Sequence, residues 1–315
     1  MSGITNESAA VIGAGLIGRG WAIVFARAGW NVTLYDNNAD ALSASQHEIE
    51  NQLQLLRANG LCEDPNSTKK NISYQPKLVD AVRDVDYVQE CGPESVDIKR
   101  ALFSELDQLT PTQAVLASSS SGLMTSEFAE HLDGRHRTLV VHPVNPPHLV
   151  PLVEISPASW TDETITQRAY RVMESVKQSP ITVQKEIPGF ILNRLQGALL
   201  NEALRMVQGG YATPDDVDKT VRDGLGLRWS FMGPFETIDL NAPGGVADYA
   251  ARYGQMYETM AESQATAPGW SADAVADIVE SRSSHLQRDN ILQRQNWRDD
   301  RLAALVAHKG RQKQP

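Results

Sequence analysis

The run Gly13-Ala14-Gly15-Leu16-Ile17-Gly18 constrains this chain more than any other stretch, because of what stands on either side of it. Ala9-Ala10-Val11-Ile12 precedes it as a short apolar segment that reads as a buried strand. Ile17, Trp21, Val24, Phe25 and Ala28 follow at helical spacing, and Gly29 stands where a helix C-terminal glycine belongs. A second strand, Asn31–Tyr35, then ends at Asp36. Strand, glycine turn, helix, strand and acid in that order form the dinucleotide-binding fingerprint. Gly13 permits the sharp turn, Gly15 lets backbone approach a pyrophosphate, and Gly18 lets the helix pack on the sheet. The helix N-terminus, at Leu16 and Ile17, offers unpaired N–H groups to phosphates. Asp36 is expected to accept hydrogen bonds from a ribose 2′-hydroxyl. It would repel a 2′-phosphate, and Asn37 and Asn38 supply no compensating cation, so NAD is expected over NADP.

Downstream, buried strand patterns alternate with helical ones. Residues 38–60 read as a helix, 64–70 as a polar interruption, 72–75 as a strand and 78–85 as a short helix. Strands are expected at 87–91 and 114–117, with a helix running to about Leu109 between them. The second of these strands ends in four serines, Ser118 to Ser121. A helix over 125–131 precedes the strand 138–141, which delivers His142. Strands at 151–156 and 181–185 flank a helix over 163–177. Beyond Lys185 the strand signal stops, and Pro188 opens a long helical pattern to Gln208. The expected fold is therefore α/β: a Rossmann-type, mostly parallel, doubly wound sheet over 1–186, followed by an all-α C-terminal domain over 187–315. In such sheets ligands sit beyond the carboxyl ends of the strands, where the glycine turn, Glu94, the serine run and His142 all fall.

At 315 residues the chain suits two domains, and its net charge of −10 argues against nucleic acid or an anionic membrane as the main partner. Cys62 and Cys91 form neither a metal spacing nor a disulfide framework, which fits a reducing compartment. The N-terminus shows no charged-then-apolar signal pattern, and no apolar run approaches membrane-spanning length. A cytoplasmic protein with a small-molecule partner and no metal is expected. The basic end from His308 to Lys313 reads as a solvated tail.

His142 heads the segment His-Pro-Val-Asn-Pro-Pro-His. Prolines 143, 146 and 147 stiffen the loop behind it, and imidazole has the pKa for proton transfer near neutrality. His148 offers a metal pair with His142 but no third ligand accompanies them. Glu154, on the return strand, is placed to hold the imidazole in one tautomer; an edge-strand surface glutamate is the plain alternative. The serine run is either a polar turn or the source of a hydroxyl beside the substrate, and no GxSxG elbow surrounds it. Asn193, inside an otherwise apolar helix start, calls for an interior hydrogen bond or a functional role.

Together, Gly13–Gly18, Ser118–Ser121, His142-Pro143-Val144-Asn145-Pro146 with Glu154, and Pro188-Gly189-Phe190 through Arg194-Leu195 resemble the 3-hydroxyacyl-CoA dehydrogenase family over nearly the whole chain. Gly224–Trp229, Gly233–Thr237, Leu240-Asn241-Ala242 and Gln295–Asp299 resemble its lambda-crystallin / L-gulonate 3-dehydrogenase branch. The resemblance implies His142 as catalytic base, Glu154 as its partner, and Ser121 and Asn193 as substrate-orienting residues. It implies cofactor contacts at the glycine loop, Asp36, Glu94, Lys99 and Asn145, and a homodimer through the C-terminal domain. The family's Ser-Asn-Thr-Ser-Ser stretch is Ser118-Ser119-Ser120-Ser121-Gly122 here, so Ser121 is chosen by register alone. The stretch around Arg228 and Trp229 is longer than in the acyl-CoA enzymes, which argues against a thioester. Arg228, among apolar neighbours, is expected to meet a substrate carboxylate. The expected activity is NAD-dependent oxidation of the 3-hydroxyl of a small hydroxy acid. A short-chain acyl-CoA or carnitine-type dehydrogenase is the nearer rival, and a non-catalytic NAD-binding crystallin the further one.

Overall fold

Strand β1 (Ser8–Ile12) lies inside the sheet and is buried on both faces. Ala9 and Val11 enter one core while Ala10 and Ile12 enter the other, which is why the strand reads as a continuous apolar run. Around it, in the computed structural model, which describes residues 7–312, eight strands form one sheet in the order β3-β2-β1-β4-β5-β6-β7-β8. These are β2 (Asn31–Tyr35), β3 (Ile72–Gln75), β4 (Tyr87–Glu90), β5 (Val115–Ser118), β6 (Thr138–Pro143), β7 (Leu152–Pro157) and β8 (Ser179–Thr182). All pairs from β3 across to β6 are parallel, β6 and β7 are antiparallel, and β7 and β8 are parallel. The chain steps outward from β1 to β2 and β3, then returns to β4 on the other side of β1. The carboxyl ends of β1 and β4 therefore border the crevice where ligands bind in such sheets.

Helices α1 (Leu16–Arg27), α2 (Ala39–Ala58), α3 (Pro65–Lys70), α4 (Leu78–Val82), α5 (Val96–Leu109), α6 (Thr125–Phe128) and α7 (Glu163–Ser175) accompany the sheet. One core is built around Trp21, Phe25, Trp30 and Tyr87, the other around Phe103, Phe128 and Phe190. The stretch 64–70, expected as a polar interruption, contains α3. Asp64 caps it by accepting the N–H groups of Asn66 and Ser67, and Pro65 occupies the first turn, where its missing N–H costs nothing. Strand β8 begins two residues before its expected start, at Ser179.

The described chain divides into two compact units, residues 1–193 with 296–315 and residues 194–295. Helix α8 (Leu192–Gln208) begins at the end of the first and continues into the second, followed by α9 (Pro214–Thr220), α10 (Gly226–Trp229), α11 (Pro234–Leu240), α12 (Gly245–Ser263) and α13 (Ala276–His285). Helix α14 (Ile291–Arg311) returns to the first unit, where Ala303 is fully buried in the Trp21 core. Residues 308–311, expected in a solvated tail, are exposed but form the last turn of this helix; Lys313 lies outside the described residues. Within residues 194–295 only Leu204, Thr237 and Ala242 are buried, so this unit shields little of its own apolar surface. Among the described residues no helix is long and apolar enough to cross a membrane.

Candidate active site

The turn after β1 is held from β2. The Ala14 N–H donates to Asp36 Oδ2 at 2.7 Å, and Asp36 Oδ1 accepts the Asn38 N–H at 2.8 Å. Gly13 has φ 109°, and a Cβ there would sit 2.8 Å from the Cys91 carbonyl oxygen; one on Gly18 would collide with the Gly13 carbonyl oxygen. Gly15 differs, since a Cβ there would meet nothing within 4 Å. It is the N-cap of α1, no side chain caps that helix, and no acid occupies its first turn. The exposed start of α1 at Gly15 and Leu16 therefore presents free N–H groups and the positive end of a twelve-residue helix. That cradle fits a pyrophosphate, with the Asp36 carboxylate beside it.

His142 and Glu154 are direct cross-strand partners on β6 and β7. His142 Nδ1 lies 2.8 Å from Glu154 Oε2, with the imidazole 4% exposed and the carboxylate fully buried. Glu154 Oε1 accepts the N–H groups of Ile191 and Leu192, both at 2.8 Å, at the start of α8. Burial alone would raise the Glu154 pKa, but the bonds from His142, Leu192 and Ile191 outweigh it and hold the carboxyl below its ordinary range. An ionised Glu154 requires Nδ1 to carry the proton, which leaves the Nε2 lone pair available; Nε2 makes no hydrogen bond among the described residues. Gly189 and Phe190 have φ 78° and 50°, and this left-handed bend aims the next two N–H groups at Glu154. The cost at Phe190 is of order 1 kcal/mol. Its ring is buried 5.5 Å from the imidazole centroid.

Residue Ser118 of β5 pairs with Val140 of β6, so the serine run leaves the sheet beside the strand that carries His142. Three of its four hydroxyls are occupied. Ser118 Oγ donates to Glu90 Oε2 at 2.6 Å, and Ser119 Oγ accepts from Gln89 Nε2 at 2.7 Å and Trp21 Nε1 at 3.1 Å. Ser120 Oγ donates to Glu94 Oε1 at 2.6 Å. The Ser121 hydroxyl has no partner among the described residues and is exposed, while its carbonyl accepts from Asn193 Nδ2 at 2.7 Å.

Two expected cofactor residues are engaged within the protein. Lys99, 1% exposed, donates to both oxygens of the fully buried Glu90 at 2.9 and 2.8 Å, and Glu90 Oε1 also accepts the Gly92 N–H. Glu94 Oε1 collects the Ser120 hydroxyl and the N–H groups of Ser121, Gly122 and Leu123. Partial burial pulls its pKa upward, but those bonds prevail and hold it below the usual range. Asn145 is exposed in the loop behind His142. His148 is buried, with Nε2 3.1 Å from Gln52 Oε1; burial, then Arg27 and Arg298, push its pKa down to about 4, so it is neutral at physiological pH. Arg228, in the second unit, is exposed and makes no ion pair among the described residues. Sequence reading missed Gln89, Glu90 and Phe190. The signal for the first two was two polar residues inside the otherwise apolar strand Tyr87–Cys91.

The 3-hydroxyacyl-CoA dehydrogenase NAD-binding domain model matches residues 8–187, and the model of that family's C-terminal domain matches residues 189–276. The chain is 37% identical to lambda-crystallin of Oryctolagus cuniculus over 97% of both chains. It is 33% identical to L-carnitine dehydrogenase of Pseudomonas aeruginosa over 97% of this chain and 95% of that one. The solved structure of an NAD+-dependent dismutase, 5-formyl-3-hydroxy-2-methylpyridine 4-carboxylic acid 5-dehydrogenase, superposes with a TM-score of 0.85 at 23% identity, over 98% of this chain and all of that one, a likeness of fold. A glycine cradle built for a dinucleotide, a strand-end histidine paired with a buried carboxylate, and matches along both halves place the chain in the 3-hydroxyacyl-CoA dehydrogenase family of NAD-dependent oxidoreductases.

Proposed function

We propose that this protein oxidises the 3-hydroxyl of a small free hydroxy acid, with L-gulonate as the leading substrate. The observation that carries the reading is the His142–Glu154 pair, whose protonated Nδ1 leaves Nε2 as a base. NAD supplies the hydride acceptor. His142 Nε2 removes the hydroxyl proton as the C3–H electron pair departs as hydride, so the alcohol becomes a ketone and the imidazole an imidazolium. Glu154 stabilises that cation, as a buried carboxylate does in a catalytic triad. Ser121 supplies the free hydroxyl to the substrate oxygen, and Asn193 of α8, which donates to the Ser121 carbonyl, orients it. The glycine turn, Asp36 and Asn145 would hold the cofactor, and Lys99 would act at one remove through Glu90 and Gly92. In the reverse direction His142 is the acid.

The preference for a free acid rests on the lambda-crystallin-like sequence and on Arg228, which carries a guanidinium with no carboxylate of its own. Arg228→Ala is expected to lower kcat/KM for the acid by about 30-fold or more, at the low end of the roughly 2–5 kcal/mol for truncating one side of a charged pair. The methyl ester or lactone should lose much less. Equal losses for acid and ester would assign Arg228 to the fold or to an interface.

The helical unit also supports a homodimer. Leu195, Leu227, Phe231, Phe235 and Leu240 are each more than 60% exposed within a unit that buries three residues. A second copy covering this surface would bury more than about 2,000 Å², as obligate interfaces do. Sedimentation should show a dimer at micromolar concentration; a monomer would contradict the proposal. The assay that tests the function follows NADH absorbance with gulonate, 3-hydroxybutyrate, carnitine and a 3-hydroxyacyl-CoA. Highest kcat/KM on the thioester or on carnitine would replace the proposed substrate class. Turnover of none, with NAD still bound, would favour a non-catalytic protein.

A further inference from the structure

Gln89 of β4 is fully buried. It lies two residues from Tyr87 and pairs with Ala117 of β5, both members of the core around Trp21, so its side chain shares that face of the sheet. An amide there is costly unless its groups are paired, and all of them are. Oε1 accepts the Tyr87 hydroxyl at 3.2 Å, while Nε2 donates to Ser119 Oγ at 2.7 Å and to the Val141 carbonyl at 3.2 Å. A carbonyl only accepts, so the atom facing Val141 is the nitrogen and the orientation of the amide is fixed. Ser119 Oγ also accepts Trp21 Nε1–H at 3.1 Å, which leaves its own proton for Cys91 Sγ at 3.3 Å. The bond to Val141 crosses a strand, because β5 lies between β4 and β6. Ala117 presents only a methyl group on that face, which leaves the amide room to pass. Strand β5 pairs with β6 no further than Ser118 with Val140, so Val141 stands just past the last rung, and the next residue is His142. The Gln89 amide thus holds β6 where its pairing with β5 has stopped.

We propose that Gln89 is a positioning residue for His142: its amide pins the Val141 carbonyl and so fixes the end of β6 from which the imidazole projects. The inference rests on the reading of His142 as the base. Glu154 sets the tautomer of the ring from β7, on one side of β6. Gln89 steadies the backbone that carries the ring from the opposite side. Misplacing a catalytic group by about 1 Å can cost on the order of 10²-fold in rate. A tether one peptide unit from His142 can therefore govern turnover from within the core. The competing assignment is a purely structural one, in which the network supports the sheet and nothing more. The two separate experimentally. A positioning residue matters only while there is a base to position, whereas a structural defect lowers the amount of competent enzyme whichever residue stands at 142.

A double-mutant cycle makes the test. Gln89→Met keeps the length and much of the volume of the side chain and removes both donors. It is compared with His142→Gln and with the double variant Gln89→Met/His142→Gln. The readout is kcat at saturating NAD and a saturating concentration of the best acid of the substrate panel. Gln89→Met alone should lower kcat by about 10- to 100-fold. In the His142→Gln background the same substitution should cost less than about threefold, because no base remains to be misplaced. Full additivity in the cycle, or an unchanged kcat in Gln89→Met, would overturn the proposal. Normal activity in His142→Gln would instead remove the reading of His142, and the proposal with it. Should Gln89→Met fail to fold, Ala117→Val leaves every member of the network in place and fills the passage across β5. The same loss of kcat, again confined to the protein that retains His142, is then expected, and its absence counts against the proposal equally.

Discussion

Replacing His142 with glutamine should lower turnover by about 10²- to 10⁴-fold and leave NAD affinity unchanged, the range for removing a general base. The side chain is 4% exposed and packs against Phe190, so the substitution acts on proton transfer and touches no part of the glycine cradle. Glu154→Gln should also lower turnover, for a reason the hydrogen bonds supply. Glu154 faces donors on both sides, with His142 Nδ1–H on Oε2 and two backbone N–H groups on Oε1. An amide has one accepting oxygen, and the backbone pair claims it. The NH₂ group then faces Nδ1, which must give up its proton, so the proton moves to Nε2 and the base is lost. A loss of about 10- to 10³-fold is expected, with little further effect in the His142→Gln background. An active His142→Gln enzyme with normal NAD binding would place the base elsewhere. The same carboxyl is linked to stability. Its pKa is held below the ordinary 4.5, so its contribution is complete above that pH and disappears as pH falls through the lowered folded value. Glu154→Gln should therefore flatten the acid side of a denaturant-midpoint profile.

NAD should be preferred over NADP by about two orders of magnitude in kcat/KM, about 2–3 kcal/mol of like-charge repulsion and lost hydrogen bonding at Asp36. Removing the acid should not reverse the preference. Asp36 Oδ2 holds the Ala14 N–H and Oδ1 holds the Asn38 N–H, so Asp36→Ala loosens the glycine turn while deleting the repulsion. The expected result is weaker NAD binding with the ratio drifting toward unity, and a real NADP preference only when a cation also replaces Asn37. Equal kcat/KM for the two cofactors in the unmodified protein would sink the assignment of Asp36.

The sheet was legible because local signals repeat along it: a glycine turn, apolar strands and strand ends that collect polar residues. The closeness of His142 and Glu154 was legible for a related reason. A strand, a proline-stiffened loop and a return strand place residues twelve apart opposite each other, and the register makes them direct partners. Contacts made across long stretches of sequence were not legible. Nothing local distinguishes Ser121 from Ser118; the difference lies in Glu90, Gln89, Trp21 and Glu94, which lie 26 to 98 residues away. The left-handed Phe190 was hidden because its conformation answers to Glu154, 37 positions earlier than Ile191. The surroundings of Arg228 were not legible either: its apolar sequence neighbours Leu227 and Phe231 are themselves exposed in the single chain.

Helix α14 gives the chain an order of assembly. Ala303 sits in the same core as Trp21 and Phe25, although the whole of residues 194–295 is made between them. Topologically the helical unit is an insertion, and the cofactor-binding unit is discontinuous. A ribosome elongating at about 5–20 residues per second releases the sheet many seconds before the segment that completes its core. The core around Trp21 and Phe25 therefore lacks Ala303 until α14 arrives. Chaperone dependence during synthesis should accordingly concentrate on the nascent N-terminal part, and loss of the C-terminal helix should register first as instability of the nucleotide-binding half.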